Sequence, residues 1–203
     1  MWKYVLLFGI FFTGCNYCNK NKYMDSARAL FKEFSESNNL TSLQESKLLD
    51  TIEVLTLKAL KCDSNCASCL QMLKGVQDFK SDNHGLINTY NSLLRLYPES
   101  VLFHYERAET FLNILDTNNA KKDFKWIITK LNNEPPMDKK QAYIYYEYKY
   151  ISEYFLFGPK YIIETNKRLL KQKNTTIQQI QGIENVKSRF KLDSVWNALY
   201  PLK

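Results

Sequence analysis

The chain has 203 residues, with 28 Lys or Arg against 21 Asp or Glu, a net charge of +7 and 14% aromatic residues. Six glycines are too few to furnish the turns of a β-sandwich or the phosphate loops of a nucleotide fold. The five prolines (Pro98, Pro135, Pro136, Pro159 and Pro201) fall between apolar-periodic segments, as helix punctuation does, so an all-α fold is expected.

Lys3 supplies a positive start, Tyr4 to Phe12 an apolar run, and Thr13-Gly14 two small residues before Cys15. That order predicts a secretory leader over residues 1–14. The apolar run is far short of the ~20 residues of a spanning helix. Phe12-Thr13-Gly14-Cys15 resembles a bacterial lipobox, with Phe12 where that family usually has an aliphatic residue. The resemblance implies a lipoprotein whose Cys15 is acylated and becomes the mature N-terminus. No acidic run follows Cys15 to direct export to the cell surface, so an outer-membrane anchor facing the periplasm is the expected location.

Residues 15–22 have no apolar period and read as a tether. Met24, Ala27, Leu30, Phe31 and Phe34 recur at helical spacing and predict a first helix, ended by Ser37-Asn38-Asn39. Thr41 with Gln44 three residues on reads as a capping box opening a second helix, through Leu48, Ile52, Leu55 and Ala59 to about Leu60.

A period of 34 residues follows. It separates Tyr90 from Phe124, Leu93 from Ile127, Leu86 from Ala120, Ala59 from Leu93, Ala108 from Ala142 and Phe111 from Tyr145. Over Val101–Glu134 the small Ala108, the large Phe111 and then Ala120, Phe124 and Ile127 stand as in a helix pair turning at residues 116–119. This pattern resembles the tetratricopeptide repeat, two antiparallel helices per unit. Residues 23–158 are thus expected to form a repeat superhelix. Lys74 departs from it by standing where a small residue belongs. The resemblance places Tyr145 and Phe157 inward, and the helix that begins near Ala142 runs on to Gly158-Pro159. Residues 159–203 then read as basic capping helices carrying Ile162, Ile163, Leu169, Leu170, Ile177, Ile180, Ile183, Val186, Phe190, Trp196 and Leu199. That segment holds nine basic side chains against three acidic ones, whereas residues 15–158 are balanced at 18 each. The surplus suits a solvated face, or contact with acidic lipid or protein. Export argues against nucleic acid.

Cys62, Cys66 and Cys69 are spaced C-x3-C-x2-C, similar to the cluster motif of radical S-adenosylmethionine enzymes. The chain has none of that family's glycine-rich strands, and Ala67 stands where its aromatic residue belongs. A zinc site would need a fourth ligand from His84, His104, Cys18 or a carboxylate. Disulfides are simpler, because with Cys15 acylated four cysteines remain, Cys18, Cys62, Cys66 and Cys69, in an oxidising compartment. Cys62–Cys66 and Cys66–Cys69 are both open, and the latter would sit in the first turn of a helix, where a redox role is conceivable. No catalytic constellation, metal site or cofactor motif stands out. His104 beside Phe103 and Tyr105 suits packing or capping.

Tyr143, Tyr145, Tyr146, Tyr148, Tyr150 and Tyr154 cannot all face one core at 100° per residue. Tyr143, Tyr146 and Tyr150 share a second face, either a recognition surface or one covered by the capping helices. The repeat resemblance implies a concave groove that binds a protein or peptide. Its lining would be Leu102, Tyr105, Glu109, Leu112 and Asn113, then Lys139, Tyr143, Tyr146 and Glu147. The expected function is a lipid-anchored, non-enzymatic adaptor. Its rivals are an exported thiol protein acting through Cys66 and Cys69, and a glycan- or peptidoglycan-binding module using the tyrosines.

Overall fold

The computed structural model describes residues 18–37, 39–136 and 142–190. The leader, Cys15, Lys139, Trp196 and Leu199 lie outside these residues. The described secondary structure is nine α-helices and no strand. They are α1 (Lys20–Glu36), α2 (Ser42–Cys62), α3 (Ala67–Phe79), α4 (Asn83–Leu96), α5 (Val101–Asn113), α6 (Thr117–Asn133), α7 (Ala142–Phe157), α8 (Pro159–Lys171) and α9 (Ile177–Arg189).

The chain divides into two units, residues 1–69 and 70–203. In the first, α1 and α2 form a hairpin around Met24, Ala27, Leu49, Ile52 and Ala59. The capping box opens α2: the Thr41 amide donates to Gln44 Oε1 at 2.9 Å, and the Gln44 amide to Thr41 Oγ1 at 3.4 Å. The second half of the expected tether is ordered instead. Asn19 caps α1 by accepting from the Lys22 amide, Lys20 pairs with Asp63 at 2.9 Å, and Cys18 is bonded to Cys62.

From α3 to α6 the 34-residue period is built into the backbone. α3 and α5 have equal length and begin 34 residues apart, as do the starts of α4 and α6. Both α3 and α5 end in a Schellman turn, with a left-handed residue, Ser81 (φ 55°) or Leu115 (φ 62°). The next amide reaches back five residues, Asp82 to the Gln77 carbonyl and Asp116 to that of Phe111, each at 2.9 Å. The same aspartates then cap the following helix, accepting from the Gly85 and Asn119 amides. The turn expected at residues 116–119 is therefore tighter, and Thr117 already belongs to α6. Tyr90, Leu93, Ala108, Ala120, Phe124 and Ile127 are buried, as their shared spacing requires.

Lys74 fits without a small residue because its amine reaches Glu106 Oε1 at 2.8 Å and stands 5.8 Å from the centre of the Tyr90 ring. Phe157 departs from expectation. It is 54% exposed, because α7 ends there and Gly158 (φ 85°) reverses the chain, leaving the ring against Tyr161.

Candidate functional site

Of the residues expected to line a groove, Tyr105, Glu109, Tyr146 and Glu147 are brought together beneath α9. α9 packs chiefly on α7, and Gly182 is what lets it approach. A Cβ at Gly182 would stand 2.8 Å from Tyr146 Cβ and 3.0 Å from the Glu147 amide nitrogen. Ile183 and Val186 are buried in the core cluster that also holds Phe124, Tyr150 and Ile151. Phe190 stacks on Tyr154 at 4.4 Å and meets Phe155 edge-on. Ile177, in the expected apolar stripe of this helix, is exposed.

Polar contacts hold the same helix. Asn185 Nδ2 donates to Glu147 Oε2 at 2.9 Å. Arg189 donates from Nη1 to the Tyr105 hydroxyl at 3.0 Å and from Nη2 to Glu109 Oε1 at 2.6 Å. The Tyr105 hydroxyl itself donates to Glu109 Oε1 at 2.6 Å, and its ring stacks on Tyr148 at 4.3 Å. Burial raises the Tyr105 hydroxyl above the usual phenol range, and the hydrogen bond to Glu109 adds to it. Tyr148 is pushed up to about 12, by burial first and then by the carboxylates of Glu106, Glu147 and Glu109. Two tyrosines of the second face are thus covered: Tyr150 is buried and Tyr146 lies under Gly182. Leu102 and Asn113, at the two ends of α5, stay exposed, and Leu112 and Tyr143 are partly so. The sequence offered one sign of this arrangement, a glycine inside an otherwise helical stretch, which often marks close backbone approach.

A second cluster lies behind the face, between α5 and α6. Asp123, 3% exposed, accepts from Arg107 Nε at 2.9 Å and Nη2 at 2.7 Å. His104 Nδ1 lies 2.7 Å from Asp123 Oδ1, its Nε2 lies 3.2 Å from the Pro98 carbonyl, and its ring stacks on Trp126. Burial alone would raise the Asp123 carboxyl, but the His104 and Arg107 hydrogen bonds outweigh it and hold the group below the usual range. Sequence reasoning saw His104 as a packing residue and missed Arg107 and Asp123, which are separated by 16 positions.

Two disulfides account for the four described cysteines, Cys18–Cys62 and Cys66–Cys69. The second sits at the start of α3 with both residues buried, and the Cys69 amide donates to Cys66 Sγ at 3.2 Å. Among the described residues no three His, Cys, Asp or Glu side chains gather as a metal would require, and no helix is long and apolar enough to cross a membrane. The α5–α7 face presents carboxylates and phenols that hold guanidinium and amide donors beside apolar rings. No protein-family model matches the chain, and no curated protein matches it in sequence.

Proposed function

We propose that the chain is a bacterial lipoprotein, acylated at Cys15, that serves as a non-enzymatic adaptor for a protein or peptide partner. Its repeated helix pairs are read as a tetratricopeptide-like superhelix held at the outer membrane and facing the periplasm. The observation that carries this reading is the seating of α9 on Tyr105, Glu109, Tyr146 and Glu147, because a face that accepts one helix through paired carboxylates and rings has the chemistry to accept another. A partner would begin on the uncovered ends of that face, at Leu102, Leu112 and Asn113. Burial of both Cys66 and Cys69 favours a structural disulfide over an exchanging one.

The test has two arms. Growth with an alkyne fatty acid should label the product, and Cys15→Ala should abolish the label. A photoreactive residue at Leu112 or Asn113 should capture one defined protein in cells, whereas the same residue at Lys121, on the exposed side of α6, should not. Equal yields at both places would refute the groove.

A further inference from the structure

We infer that the Cys18 end of the α1–α2 hairpin lies against the headgroups of an anionic bilayer, as a second attachment beside the acyl chain. The inference rests on acylation of Cys15. The disulfide Cys18–Cys62 joins the start of α1 to the end of α2, with Cα atoms 5.4 Å apart. Cys15 precedes Cys18 by three residues, so an acyl-bearing cysteine stays within roughly 11 Å of this end. That reach leaves no room for a folded protein between the hairpin and the membrane.

The charge at this end is positive. Lys20 and Lys22 come from the first turn of α1, Lys61 from the last turn of α2 and Lys58 from the turn before it, and Asp63 follows, paired with Lys20. Lys22, Lys58 and Lys61 are exposed. The opposite end of the hairpin carries Glu33 and Glu36 at the close of α1 and Glu45 at the opening of α2. Lys32 and Lys47 also stand toward that end, so the hairpin carries a surplus of cations at the anchor end and a surplus of carboxylates at the other.

Apolar side chains accompany these cations. Val54 and Leu57 are 50% and 42% exposed, and they share one strip of α2 with Lys58 and Lys61. Single exposed leucines are ordinary, but apolar residues in register with lysines make the strip of an interfacial helix. Val54 and Leu57 would enter the acyl boundary while the ammonium groups meet phosphate. The basic patch would add headgroup attraction to the hold of the acylated cysteine.

Lysine acetylation of the purified full chain, followed by mass spectrometry, tests the placement. On vesicles containing phosphatidylglycerol, Lys22, Lys58 and Lys61 should react about fivefold more slowly than in the free protein. Lys32 and Lys47, toward the opposite end, should react alike in both. Equal reactivity of Lys58 and Lys47 on these vesicles, or the same protection on pure phosphatidylcholine, would overturn the inference. The mass of the Cys15 peptide in the same sample reports acylation, so failure of the anchor is read separately. If no acyl group is found, flotation with phosphatidylglycerol vesicles decides: loss of flotation in the folded Lys58→Glu/Lys61→Glu variant supports the surface, and unchanged flotation rejects it.

Discussion

Arg189, in the last turn of α9, donates to the hydroxyl of Tyr105, 84 positions earlier, at 3.0 Å. The contact ties the last described helix to the first helix of the clearest repeat unit, and Glu109 shares it. Because the guanidinium is about half exposed, Arg189→Ala should cost no more than ~1 kcal/mol. Gly182→Ala should cost more, about 1–3 kcal/mol, since the added Cβ meets the Tyr146 Cβ and the Glu147 backbone. Thermal unfolding of the two variants checks the order. A harmless Gly182→Ala would mean that α9 does not seat as described.

Asp123 is a buried carboxylate shared by the Arg107 guanidinium and the His104 ring. Its carboxyl is held below the usual range, so the stability it confers is complete above the unfolded value of about 3.9. That stability is lost as the pH falls through the lower folded value. Asp123→Asn should cost about 3–5 kcal/mol at pH 7, because it leaves Arg107 without its buried partner. The difference from wild type should shrink in acid, as urea titrations between neutrality and pH 2 would show.

The helical class, the start of α2 and the 34-residue register were all legible in the sequence, because each depends on local spacing or on a cap. Thr41 and Gln44 lie within one turn, and Ala108 and Ala142 repeat at a fixed interval. What could not be read was which surface α9 would choose. Its contacts with Tyr105, Glu109 and Glu147 span 38 to 84 positions, and no periodicity encodes them. The Cys18–Cys62 pairing was hidden for the same reason, at a separation of 44. Phe157 shows the limit of the repeat pattern: once α7 reaches Gly158 the inherited spacing no longer points inward.

Leu115 stands in the left-handed conformation, φ 62°, with its side chain 85% exposed. A β-carbon is strained there and the isobutyl group gains nothing from burial. Leu115→Gly should therefore stabilise the protein by about 1 kcal/mol, raising the unfolding temperature. Ser81 occupies the equivalent turn after α3, and Ser81→Gly should act in the same direction. A drop in stability for both would show that the Schellman turns are not formed.

Glu153 is buried in α7, with Lys149 at 3.9 Å and no partner for its Oε2. Burial raises its carboxyl above the usual range, while Lys149 and Arg168 pull the other way and do not offset it. Ionisation in the folded state is therefore unfavourable, and the penalty sets in as the pH rises from about 4.3 through the folded value. Glu153→Gln should be more stable than wild type by about 1 kcal/mol at pH 8 and equal to it at pH 4. A variant less stable at both values would show that Lys149 depends on the carboxylate.

The two disulfides should differ in what they contribute and in how they respond to reductant. Cys18–Cys62 spans 44 positions, so on the chain-entropy argument its removal by Cys62→Ser costs about 4 kcal/mol. Cys66–Cys69 spans only three positions, and the same argument assigns it about 2 kcal/mol. Access favours the opposite order of reactivity. Cys18 is exposed, so an attacking thiolate can reach its sulfur, whereas Cys66 and Cys69 are buried at the start of α3. Under mild reductant, alkylation followed by mass spectrometry should therefore find Cys18 and Cys62 modified first. If Cys66 and Cys69 were reduced ahead of them in folded protein, the bond at α3 would be an exchanging one, and the exported thiol protein would displace the adaptor as the better account of the chain.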